Sequence, residues 1–173
     1  YRVSGSSTQN LGVEPDIKLP SLFKIDELGE SNLDRALEHD NIPKTSFKNF
    51  NRVSTFLEPL REKSMTRITK SALFDSVEAK KKWQAENEIN FLDLNLKTRM
   101  KQKDKIEEFL LSNENSLRKA LNLPTYESYK DFVEREDDPE ILDVDEEVLG
   151  EAANILIDLI ELKEKTLLAL NEK

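Results

Sequence analysis

His39 is the only histidine in the chain. A Ser-His-Asp triad or a His-based metal site would have to be built on it. It stands in a polar run beside Asp40 and Asn41, which favours a plain surface histidine. Ser4, Ser6 and Ser7 cluster around Gly5, yet they lack the G-x-S-x-G elbow that exposes a nucleophile between strand and helix. Turn chemistry is the better reading. The acidic residues Glu134, Glu136, Asp137, Asp138, Asp143, Asp145, Glu146 and Glu147 supply oxygen ligands of the kind calcium takes. They lack the alternating spacing and central glycine of an EF-hand loop. They read as a solvated connector whose last carboxylates favour the N-terminus of a following helix. Lys97, Arg99, Lys101, Lys103 and Lys105 form a basic stretch that would wrap around a helix, with Glu107 and Glu108 next. That is a solvated face rather than a nucleic-acid surface, and an acidic protein surface suits it better than RNA. Trp83 and the group Tyr126, Tyr129 and Phe132 read as core or contact residues. No phosphate-binding glycine loop, zinc motif or pair of catalytic carboxylates can be assigned. The sequence therefore names no catalytic, metal-binding or cofactor-binding residue.

The elements that would position these groups are helical. With 173 residues, 37% hydrophobic and 35% charged, and a mean hydropathy of -0.64, the composition suits helices with long solvated faces. Four Gly and six Pro are few for a turn-rich β protein. A net charge of -9 argues against general nucleic-acid binding and against anionic lipid. No apolar run approaches the ~20 residues of a membrane span. The lack of cysteine excludes disulfides and thiolate chemistry.

In chain order, residues 1–20 suggest two short strands: Val3 in a β-favouring run, a Gly5-Ser6-Ser7 turn, then Ile17 and Leu19 alternating with polar residues. A lone hairpin is marginal in water. The chain also opens without Met or a signal-like segment, so these strands are expected to be the end of a larger sheet. After Pro20 a helical domain is expected over 21–173. Residues 21–29 would form a connector. Ser31 would cap a short helix ending near His39, and Thr55 one carrying Leu57, Leu60 and Ile68 to about Lys70. Ser71 would cap another, with Leu73, Phe74 and Val77 inward. The alternation at Leu92, Leu94 and Leu96 fits a strand or an extended connector. A long helix follows from about Thr98 to Leu121, stopped by Asn122-Leu123-Pro124. Thr125 would cap a short helix. The last helix starts near Asp143 or Asp145 and runs to about Ala169. Its wide apolar surface, including Val148, Leu149, Ile155, Leu156, Leu159 and Ile160, marks it as the most buried.

Residues Tyr1-Arg2-Val3, Gly5, Thr8-Gln9 and Gly12-Val13-Glu14-Pro15-Asp16-Ile17 also carry a resemblance. They resemble the close of the protease core in the carboxy-terminal processing, or tail-specific, serine proteases, where a Gly-[Val/Ile]-x-Pro-Asp-[Val/Ile] signature follows a Gln. The likeness continues through Leu28-Gly29-Glu30-Ser31, Ala36-Leu37, Ala152-Ala153-Asn154-Ile155 and Asp158-Leu159. The resemblance implies a mainly α chain: a short β-hairpin from the core sheet (1–20), then the family's C-terminal helical domain (21–173). It implies a parent endopeptidase in the periplasm of Gram-negative bacteria. Such a parent takes protein or peptide substrates by apolar C-terminal tails through a PDZ domain, and an adaptor lipoprotein in some members. The family's Ser nucleophile and Lys base would both lie upstream of Tyr1. No catalytic role passes to this chain, Gln9 included, and no cofactor is expected. The rival reading is a non-enzymatic helical interaction module; an RNA-binding helical protein is disfavoured by charge.

Overall fold

The computed structural model describes residues 1–10, 12–22, 29–38, 40–48, 50, 52–88, 91, 93–134 and 143–171, side chains of 170 and 171 excepted. His39, Leu92, residues 23–28 and the acidic residues 136–138 lie outside that set. The fold is mainly helical. The described residues hold α1 (Leu57–Ile68), α2 (Ala72–Glu86), α3 (Leu96–Ala120), α4 (Tyr129–Glu134) and α5 (Val144–Asn171), with 3-10 turns at Glu30–Asn32 and Ser54–Phe56. They divide into two compact units, one of Tyr1–Ser64 with Ile155–Lys173, the other of Met65–Asn154.

In the first unit the expected hairpin is not seen, and no strand occurs among the described residues. The reason lies in the backbone. Gly5, Asn10 and Gly12 all take positive φ (86°, 65° and 61°), which interrupts an extended run three times. The Gly5 amide closes a turn on the Arg2 carbonyl at 2.8 Å, and the Arg2 amide donates to Ser6 at 2.9 Å. What remains extended finds partners elsewhere: the Ile42 amide donates to the Gly5 carbonyl at 2.9 Å and the Thr45 amide to Val3 at 3.1 Å. Gly5 is also sterically required, since a Cβ there would meet the Ile42 carbonyl oxygen at 2.1 Å. The helix expected from Ser31 is only the 3-10 turn Glu30–Asn32, and Gly29 rather than Ser31 precedes it, without a side-chain cap. Its apolar residues Leu33 and Leu37 face solvent. So short a helix with no face to bury is marginal in water.

Helix α1 begins after the Ser54–Phe56 turn, with Pro59 in its first turn, where a missing N–H costs little. The Arg61 guanidinium holds the Asp16 carbonyl through Nε and Nη2 at 3.2 and 3.0 Å. Leu60 and Ser64 are fully buried. The Ser64 hydroxyl has no hydrogen-bond partner among the described residues. A buried orphan hydroxyl destabilises, so Ser64→Ala is expected to raise stability by about 1 kcal/mol. Chemical denaturation checks this, and a destabilised variant would show that the hydroxyl is satisfied after all.

The second unit is built on an antiparallel helical hairpin. Ser71 caps α2 by accepting from the Phe74 amide at 3.4 Å, as its position in the sequence implies. Leu73, Phe74 and Val77 are buried, as expected. Asn113 donates to Ser76 Oγ at 2.7 Å, Trp83 stacks on Phe109 with centroids 4.6 Å apart, and Lys105 bonds Asn87. These pairs run in opposite directions along α2 and α3, which fixes the antiparallel register. The alternation at Leu94 and Leu96 does not form a strand. Leu96 opens α3, capped by Asn95 Oδ1, which accepts from the Lys97 and Thr98 amides. The helix ends where the sequence says, by a Schellman arrangement. Asn122 takes φ 59°, its amide donates to Lys119 at 3.2 Å, and the Leu123 amide donates to Arg118 at 2.8 Å. The cap of α4 is Ser128, not Thr125. Ser128 Oγ accepts from the Asp131 amide while Asp131 accepts from the Ser128 amide, a reciprocal capping box.

Helix α5 corrects the expectation that it is the most buried. Its buried residues are Glu151 and Asp158. Leu149, Leu156, Ile157 and Ile160 are about half exposed or more, Leu149 at 71%. What its inward face meets is charge. In the second unit Arg67 makes two 2.8 Å bonds to Glu151, and Ser71 Oγ donates to Glu147 at 2.7 Å. In the first unit Lys63 bonds Asp158 at 2.5 Å. The start is as read: Asp143 accepts from the Asp145 amide at 2.8 Å, and Asp145, Glu146 and Glu147 fill the first turn.

Candidate functional site

The described serines weighed for chemistry make turn bonds. Ser4 and Ser6 hydroxyls lie 2.9 Å apart, and Ser7 Oγ accepts from the Gln9 amide at 3.0 Å, which is turn bonding. The signature residues Gly12 to Asp16 are exposed. Within that stretch a hydrogen bond from the Lys18 ammonium, helped by its charge, holds the Glu14 carboxyl below its usual range. The Tyr1 phenol is pushed up by its hydrogen bond to Asp40 and by that carboxylate's charge. Both pairs sit on the surface and lack the enclosure that tunes a catalytic group. No group of three or more potential metal ligands occurs among the described residues.

Two arrangements in the second unit went unnoticed in the sequence. The first is Arg118, 1% exposed at the end of α3. It donates to the Pro124 carbonyl and to Tyr126 Oη (2.9 Å), and its guanidinium lies 4.4 Å from the centroid of the Tyr126 ring. Asn115 completes the loop clamp, accepting from the Tyr126 amide at 2.8 Å and donating to the Tyr126 carbonyl at 2.9 Å. This is a buried polar latch that fixes the α3–α4 connection. Tyr126 in turn packs on Phe132, and Phe132 meets Tyr129 edge-on, at 5.5 and 5.8 Å between centroids. The aromatic group is thus a contact cluster, as the sequence suggested.

The second arrangement is linked to the first through the ring contacts from Tyr126 by way of Phe132 to Tyr129. A groove of about 440 Å³ is lined by Leu96, Arg99, Met100, Gln102, Lys103, Ile106, Glu107 and Tyr129. Leu96, Met100, Ile106 and Tyr129 supply apolar lining, and Arg99 and Lys103 of the basic stretch line it together with Glu107. It is a candidate binding site among the described residues. The sequence carried the basic stretch and the apolar Met100 and Ile106, but not their convergence with Tyr129.

Comparison with known proteins fits this mainly helical architecture. Residues 23–161 match the family described as the C-terminal domain of tail specific protease. A tail-specific protease of Haemophilus influenzae is 38% identical over 109 residues, which is 61% of this chain and 16% of that protein. The aligned part is therefore a small share of that relative's length. With most of its length matched by that model, the chain belongs to the family of C-terminal domains of tail-specific proteases.

Proposed function

We propose that the chain is the carboxy-terminal part of a periplasmic serine endopeptidase that trims or degrades proteins chosen by apolar C-terminal tails. The observation that carries this reading is the family match over residues 23–161. In the parent enzyme a Ser attacks the scissile carbonyl, and a Lys of lowered pKa accepts its proton. Both groups lie upstream of Tyr1 in this reading. Residues 1–20 then belong to the end of the catalytic domain and 21–173 form the helical domain. That domain walls the substrate path, holds the catalytic and PDZ domains in position, and offers a surface to an adaptor lipoprotein.

The test uses an unfolded protein with an apolar C-terminus as substrate. The purified 173-residue chain is expected to leave it intact, while the parent enzyme cleaves it and loses that activity when the nucleophilic Ser is replaced by Ala. Cleavage by the chain alone would overturn the assignment of the dyad to the upstream part. A second reading, a helical interaction module without enzymatic context, draws its support from the groove lined by α3 and Tyr129.

A further inference from the structure

We infer that the groove between α3 and Tyr129 of α4 docks an acidic amphipathic segment of another protein. The inference goes beyond the protease reading and does not depend on it. The lining residues of α3, at 96, 99, 100, 102, 103, 106 and 107, lie on one side of the helix and form a stripe. That stripe runs along about 16 Å of the helix, enough to seat two to three turns of a partner helix. Leu96 is 73% exposed and Met100 55%, so this apolar lining is open to water. Phe91 and Leu94, just before the helix, are almost wholly exposed as well. Covering such apolar surface is favourable for any partner with large apolar side chains.

Charge decides which partner. Of the groove's charged lining residues two are cations, Arg99 and Lys103, and one is a carboxylate, Glu107, so the groove is locally basic within a chain of net charge -9. Arg99 spends one donor on the amide oxygen of Gln102 at 3.2 Å. Lys103 reaches Glu107 only at 3.5 Å and its side chain is 71% exposed; surface pairs of this kind contribute little. The guanidinium and ammonium groups beside the apolar lining are therefore available to carboxylates. An acidic segment is repelled by most of this chain and accepted along this stripe, which gives register as well as attraction. RNA and anionic lipid need a broader basic face than a strongly acidic chain offers.

The test is fluorescence anisotropy with a labelled peptide of about 15 residues, Leu and Phe at i, i+3, i+4 and i+7 and Glu elsewhere. The 173-residue chain is expected to bind it saturably, and more weakly as salt rises. Arg99→Glu combined with Lys103→Glu is expected to weaken binding at least about tenfold, and Met100→Glu likewise. These residues are at the surface, so circular dichroism should show the variants folded. A peptide with Lys in place of Glu should not bind. The proposal is overturned by no saturable binding, by equal affinity for the Lys peptide, or by equal affinity of the variants. Tighter binding of a single-stranded RNA overturns it too, as does a dimer in sedimentation that Met100→Glu dissociates, since a second copy would then own the groove. Protease activity enters none of these readings.

Discussion

Arg118→Ala will lower the stability of the Met65–Asn154 unit by about 3 kcal/mol or more. The side chain is 1% exposed and ties three things together: the last turn of α3, the Pro124 carbonyl and the Tyr126 hydroxyl. Truncation removes the buried charge itself, so the loss is not that of an orphaned ion. It comes from the Pro124 carbonyl and the buried Tyr126 hydroxyl losing their donor, from the contact with the Tyr126 ring, and from the space the side chain leaves. Arg118→Lys keeps the charge but not the planar fork that reaches both oxygens, and should recover only part of the loss. Trp83 is the only tryptophan and lies in the same unit, stacked on Phe109, so its fluorescence during urea denaturation reports this transition. A loss below about 0.5 kcal/mol, the range of an ordinary surface substitution, would show that the latch contributes nothing. Because Tyr126 meets Tyr129 through Phe132, Arg118→Ala should also weaken peptide docking in the groove.

What could be read from the sequence was what local chemistry decides. Ser71 caps a helix because its own hydroxyl meets an amide three residues on, and Asn122 ends one because Asn tolerates the left-handed conformation. Neither depends on distant residues. The misreadings came where a local pattern needs a partner that the sequence does not name. Ile17 and Leu19 alternate as a strand does, but positive φ at Gly5, Asn10 and Gly12 divides the segment into turns. Ser31 with Asp34 spells a capping box, yet the exposed Leu33 and Leu37 give the helix nothing to bury against. The apolar width of α5 shows how much it could bury, not what it meets, and its buried positions proved to be carboxylates facing basic side chains. The groove was half legible: Arg99 and Lys103 were plain in the basic stretch, while Tyr129 joins them from another helix, a convergence no periodicity announces. The family resemblance reached the same C-terminal domain that the comparison found, through scattered short matches rather than a site.

Arg67→Ala is expected to cost about 3 kcal/mol, and adding Glu151→Met to an Arg67→Met background should recover most of what that single change loses. The carboxylate of Glu151 is 5% exposed and receives both Nε and Nη2 of Arg67 at 2.8 Å, while Arg67 itself is a third exposed. The two ends of the pair are thus unequally dry. Removing the cation strips a buried carboxylate of its bidentate partner, whereas removing the carboxylate lets the guanidinium turn to water. Glu151→Ala should therefore cost less than Arg67→Ala, although each deletes the same two hydrogen bonds. A pair of methionines leaves no charge behind and fills similar space, so the double substitution should approach the stability of the unsubstituted chain. Denaturation curves for the two singles and the double close the cycle. Additive losses would mean that the pair is a surface ornament whose members act independently. A double variant as unstable as Arg67→Ala would mean that the interaction itself, rather than the cost of an unpartnered carboxylate, holds this end of the helix.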